Sequence, residues 1–129
     1  MIIISNNPVV MRELKDNGDL AVFSFTLGDL NTDGNWHELD LSAKVPVGTY
    51  AVQLMVQVID DAVDSAINFR KNGNVNAINV KRVSSQVVNV QNEGWFKVFC
   101  DGDRKIEYAT SAVTFSTINI AITEYYKAA

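Results

Sequence analysis

The sequence predicts an all-β protein, an antiparallel two-sheet β-sandwich that is jelly-roll-like and holds about 8–10 strands. Three observations predict it. Val, Ile and Thr supply thirty-four of the 129 residues, and β-branched side chains favour a pleated, half-buried surface. Apolar residues recur with period two nearly everywhere after residue 20, which is the strand period. Turn signals built on Gly, Asn, Asp and Pro part the apolar runs, and from Trp36 onward the strand starts fall every 8–16 residues. No helical pattern separates the strands, so the sheets are expected to be mainly antiparallel.

The elements follow in order. Residues 1–19 read as an N-terminal arm or first edge strand, and residues 20–129 as a single β-sandwich domain. Residues 10–17 are expected to form one helical turn. Strands are expected over 20–27 and 36–41, the second opened by the turn Thr32-Asp33-Gly34-Asn35. Pro46-Val47-Gly48 introduces the clearest strand, 50–59, where Val52, Leu54, Val56 and Val58 alternate with Gln53, Met55 and Gln57. Strict alternation puts one face in a core and the other against water or a partner. Residues 61–65 read as a short bend. Strands 66–70 and 75–80 flank Asn72-Gly73-Asn74, a hairpin turn because Gly and Asn tolerate positive φ. Further strands are expected over 86–90 and 95–100, parted by Asn92-Glu93-Gly94, and over 105–109 after the turn Asp101-Gly102-Asp103. In the last strand, 113–125, Ile118, Ile120 and Ile122 alternate with Asn119, Ala121 and Thr123.

Composition narrows the function. The chain is 47% hydrophobic and 20% charged, which excludes intrinsic disorder. A net charge of −4 argues against nucleic acid as a partner. One cysteine, Cys100, gives neither an internal disulfide nor a multi-cysteine metal site. The run Ile2-Ile3-Ile4 is too short for a signal peptide, and no stretch approaches the roughly 20 apolar residues of a membrane helix. Cytoplasmic synthesis without a signal peptide, and no membrane partner, are therefore expected.

Chemistry-bearing residues are few. His37 reads as a base or metal ligand, or else as a half-solvated strand-edge histidine; no nucleophile elbow accompanies it. Cys100 reads as a buried small hydrophobe, because Asp101 and Asp103 would raise its pKa. No cofactor is expected, although Asp60, Asp61 and Asp64 are spaced to hold Ca²⁺ in a loop. Outside that reading they are solvated acids. The aromatic candidates Trp36, Trp95, Tyr50, Tyr108, Tyr125 and Tyr126 stand beside an Asn-rich chain of thirteen asparagines. A glycan site is read at Trp36, Tyr108 and the hairpin residues Asn72, Asn74 and Asn76, since sugars offer flat C–H faces and dense hydroxyls. Against this, aromatics also cap sandwich cores and Asn serves turns. Arg70, Lys71, Lys81 and Arg82 sit around that hairpin and are expected to form a local positive patch facing acidic loops on a second copy.

Two outward faces are less polar than water requires. Met55 interrupts the polar side of its strand, Ala121 lies opposite the Ile stripe, and Trp95 and Phe99 lie opposite Phe96, Val98 and Cys100. A strand apolar on both faces is expected to be buried on both. Subunit contact in a closed ring of identical copies would achieve that. The contact residues read from the sequence are Ile2, Ile3, Ile4, Trp95 and Phe99.

Several stretches also carry a resemblance. They are Trp36-His37-Glu38-Leu39-Asp40-Leu41-Ser42, Val45-Pro46-Val47-Gly48, Asn68-Phe69-Arg70-Lys71-Asn72-Gly73, and the run from Cys100 to Tyr108. In this order they resemble small β-sandwich modules of tailed-phage virion proteins, of the tail-fibre or capsid-decoration type. The likeness spans about residues 36–124 and consists of turns and core positions, with no catalytic signature. It implies a non-enzymatic virion structural protein that oligomerises, commonly as a homotrimer, and attaches to other virion proteins. The alternative is a carbohydrate-binding, receptor-recognising sandwich whose partner is a cell-surface glycan. Location in the virion after synthesis in the host cytoplasm is expected.

Overall fold

A computed structural model describes residues 12–128. Among them nine strands run in chain order: β1 (Arg12–Asp16), β2 (Phe25–Thr26), β3 (His37–Asp40), β4 (Thr49–Ile59), β5 (Ala66–Lys71), β6 (Lys81–Ser84), β7 (Asn92–Phe99), β8 (Lys105–Thr110) and β9 (Thr117–Ala128). One sheet has the order β1–β9–β4–β7, with β2 also on β9; the other has the order β3–β8–β5–β6. Every pairing is antiparallel. The pairs β2–β9, β3–β8, β4–β7 and β5–β6 nest inside one another. The chain is thus one long hairpin, bent at the β5–β6 connection and rolled so that successive pairs alternate between sheets. This is the jelly-roll arrangement, and the predicted two-sheet sandwich stands.

Period-two alternation fills the space between the sheets. Val52, Leu54, Val56 and Val58 of β4 meet Ile118, Ile120 and Ile122 of β9 and, from the facing sheet, Ile67, Phe69 and Ile106. Phe69 lies tilted against Phe96 of β7 at 5.6 Å between ring centres. Gly94 of β7 has a packing role: a Cβ there would stand 3.1 Å from Phe96 Cε1 and 3.2 Å from Val83 Cβ. The absent side chain lets Val83 of the facing sheet close onto the strand.

The structure corrects several local expectations. Residues 10–17 were expected to hold a helical turn, yet Arg12–Asp16 is an edge strand on β9. Only Phe25–Thr26 of the strand expected over 20–27 is paired. Residues 75–80 and 86–90 are loops, and the strand between them is Lys81–Ser84. In the first loop the Asn74 side chain binds the Asn76 N–H and the Ile78 carbonyl, and Asn79 has φ +66°. In the second, Asn89 has φ +58° and Val90 N–H closes a turn on Val87. Side-chain-to-backbone bonds of this kind compete with extended pairing. Asn92-Glu93-Gly94 lies inside β7, and Asp101-Gly102-Asp103 is a corner between sheets, because β7 and β8 belong to different ones. No helix among the described residues is long and apolar enough to cross a membrane.

Candidate functional site

The outer face of the larger sheet is built by register. Met55 of β4 is the direct partner of Trp95 on β7 and of Ala121 on β9. These three form one row across three strands. Farther along, Ala51 lies between Phe99 and Tyr126. A register shift between Thr49 and Ala51 turns the neighbouring Tyr50 ring onto this face too, as strand bulges do. Tyr50 is 6.3 Å from the Phe99 ring and 6.2 Å from the Tyr126 ring. The Lys97 ammonium sits 4.9 Å over Phe99 and 5.0 Å over Tyr126, a cation–π arrangement. Trp95 is 56% exposed and Phe99 45% exposed. The two-sided burial expected of this strand is absent from the single chain.

Polar neighbours fix the exposed indole. Trp95 Nε1 donates to Glu93 at 2.8 Å, Gln57 donates to the other Glu93 oxygen at 3.1 Å, and Asn119 donates to Gln57 at 3.3 Å. The indole N–H, followed by the Gln57 amide, holds the Glu93 carboxyl below its usual pKa. Beside Met55 and Ala121 the backbone over 17–24 links β1 to β2 along one edge of β9, held by Asn17 on the Thr123 and Ile122 carbonyls and by Ser24 on the Ile122 N–H. It leaves a groove of about 530 Å³ edged by Leu20 and Phe23 and by the acids Asp16, Asp19 and Glu124. The sequence pointed to Met55, Ala121, Trp95 and Phe99. It named Tyr50 and Tyr126 only as aromatic candidates, without placing them on this face, and did not point to Lys97 or the bonds behind Trp95, which depend on register. Ile2, Ile3 and Ile4 lie outside the described residues.

The residues read as a glycan site divide. Trp36 is on the outer face of the smaller sheet, with the Arg70 guanidinium 3.8 Å over its ring, and Arg70 Nε donates to Glu107 at 2.6 Å. Tyr108 is only 4% exposed. It packs inward against His37 at 5.6 Å and its hydroxyl accepts the Asn31 N–H at 2.8 Å, so it offers no face to a sugar. Trp36 and Tyr108 fall on opposite faces because adjacent strand positions do: Trp36 precedes His37, the cross-strand partner of Tyr108. Asn72 is engaged by Asp101 at 2.8 Å and by Glu38 at 3.4 Å. Asn72, Asn74 and Asn76 all line a cleft of about 940 Å³ between the β5–β6 connection and β7, together with Lys71, Lys81, Lys97 and Phe99.

The remaining candidates lie elsewhere in the fold. Asp60 is 1% exposed and its Oδ2 accepts the Ser65 hydroxyl, whereas Asp61 and Asp64 are exposed. Among the described residues no three His, Cys, Asp or Glu side chains gather as a metal would require. His37 Nε2 pairs with Asp33 Oδ1 at 2.7 Å, and this bond, helped by the Asn35 N–H, brings the Asp33 carboxyl down to about 2. Cys100 is buried, its thiol donates to the Thr49 carbonyl at 3.4 Å, and burial reinforced by Asp101 pushes its pKa up to about 11. His37 and Cys100 each have other partners and form no nucleophile–base pair. Comparison with protein-family models, curated proteins and solved structures finds no match.

Proposed function

We propose that this protein is a non-enzymatic structural module of a tailed-phage virion, a surface decoration or fibre-associated unit that assembles as a homotrimer and attaches to the particle. The observation that carries the assembly is the row Trp95–Met55–Ala121 open on the outer face. The virion setting rests on the resemblance of residues 36–124. The occupant of the face is a second copy of this chain, because the face is complementary to itself. Lys97 stands at the β7 end. Asp16, Asp19 and Glu124 stand at the groove beside β9. A head-to-tail contact sets Lys97 of one copy against the acidic groove of the next, and such contacts close into a ring where the rotation between copies closes. A tryptophan of about 250 Å² with half its surface exposed contributes about 3 kcal/mol when covered. The test is a charge exchange. Lys97→Glu weakens association at least tenfold, and Lys97→Glu combined with Asp19→Lys and Glu124→Lys restores it. Association unchanged by Lys97→Glu would contradict the head-to-tail contact.

A second reading, carbohydrate binding, is favoured by the Asn74 and Asn76 cleft facing Phe99. Its site is the cleft, and Trp36 and Tyr108 are not part of it. Binding of any sugar from a glycan array that Asn76→Ala diminishes supports this reading; an array without a bound sugar overturns it.

A further inference from the structure

The cleft between the β5–β6 connection and β7 has an electrostatic character that the chain as a whole lacks. The protein carries a net charge of −4, yet three lysines from three strands, Lys71 of β5, Lys81 of β6 and Lys97 of β7, converge on the cleft. Among the described residues no Asp or Glu lines it, and none of the three ammonium groups is in an ion pair. The packing of the two sheets brings these lysines together: Lys71 and Lys81 are on the smaller sheet, Lys97 is on the larger one, and the roll of the sandwich sets β6 against β7. The Asn92 amide donates to the Ser84 carbonyl at 2.6 Å and ties these two strands to each other.

The other lining groups define what accompanies the negative charge. The Asn76 and Asn79 side-chain amides are exposed and make no hydrogen bond among the described residues. An amide offers both donors and an acceptor, which matches a hydroxyl; a phosphate oxygen only accepts. Ile78, 77% exposed, and Phe99 give the same cleft apolar surface for C–H faces. Its 940 Å³ lies at the upper end of the roughly 300–1,000 Å³ of ligand pockets. The connection is anchored at its start, where Asn72 is held by Asp101 and the Gly73 N–H donates to Glu107 at 3.3 Å, so one wall is fixed before a ligand arrives.

We propose that this cleft binds an acidic saccharide, a sugar whose carboxylate is met by Lys71, Lys81 and Lys97 and whose hydroxyls are met by Asn76 and Asn79. The proposal rests on the carbohydrate-binding reading and adds the ligand's charge. Lys97 and Phe99 also belong to the assembly face, so the test uses Lys71 and Asn76, which line the cleft alone. Titration calorimetry of the full chain with tetragalacturonate, a hyaluronan tetrasaccharide and sialyllactose is compared with maltotetraose, lactose and tripolyphosphate. At least one acidic saccharide binds saturably, its affinity falls at least fivefold in Lys71→Gln and in Asn76→Ala, and both variants keep the wild-type melting temperature. Binding of the neutral sugars alone overturns the acidic ligand and leaves the carbohydrate reading standing. Binding of no sugar overturns both. Binding of tripolyphosphate and the acidic sugars alike, unaffected by Asn76→Ala, shows a charge sink and overturns saccharide recognition.

Discussion

Trp95 and Met55 are direct cross-strand partners on the outer face of the larger sheet, and the Trp95 indole N–H is tied at 2.8 Å to Glu93 two residues earlier. The indole is therefore held at its polar edge while its apolar faces stay open. Glu93 titrates below its usual 4.5 because the indole N–H and the Gln57 amide bond its charged form. The folded value is the depressed one, so this bond is fully present above the unfolded value and is lost as pH falls through the folded one. In a Trp36→Phe background, Trp95 fluorescence is expected to hold steady above the usual glutamate value of 4.5 and to shift only below it. Glu93→Gln removes that shift.

Arg70 makes two contacts that one lysine does not reproduce. Its plane stacks at 3.8 Å on Trp36 while Nε bonds Glu107 at 2.6 Å. Arg70→Lys keeps the charge and loses both the stack and the fork geometry. A loss of about 1–2 kcal/mol in urea unfolding is expected, with no change in solution mass.

Gly94 is a packing requirement. A methyl group there meets Phe96 and Val83 inside 3.3 Å, and Val83 is buried while Phe96 is braced on Phe69. Gly94→Ala is expected to destabilise by about 1–3 kcal/mol. Phe96→Leu removes Cε1, the closest atom at 3.1 Å, so the double variant is less destabilised than the sum of the two changes.

Asp60 is buried with one oxygen unpartnered among the described residues and the other held by the Ser65 hydroxyl. Ser65→Ala leaves that carboxyl without a side-chain donor. A loss of about 2 kcal/mol is expected from chemical unfolding, and a smaller one in an Asp60→Asn background.

The rolled sandwich was legible wherever burial imposed period two. Thr49–Ile59 and Ala66–Lys71 fall within one residue of expectation, because a one-residue slip would turn every buried side chain to water. Residues 75–80 and 86–90 misled for a stated reason: Val75, Ile78 and Val87 are apolar yet exposed, and the Asn residues among them bend the backbone. Lys81–Ser84 was hidden because two of its four residues are charged. In the outer face, Met55, Ala121, Trp95 and Phe99 were visible as apolar residues on the polar phase. Tyr50 was not placed there, since only the bulge beside Ala51 turns it outward. The lysine cleft was legible in part: Lys71 and Lys81 were read as basic residues near the hairpin, whereas Lys97 joins them only through the packing of β7 against the other sheet.

Light scattering of the full chain, wild type beside Trp95→Ser, tests self-assembly through the outer face most directly. Trp95 is more than half exposed and lies outside the buried core, so the substitution costs about 1–3 kcal/mol for its covered half and leaves the sandwich folded. A wild-type trimer, unchanged by EDTA, and a folded Trp95→Ser monomer are the predicted result. A wild-type monomer at every concentration, or a Trp95→Ser trimer as stable as wild type, would contradict it.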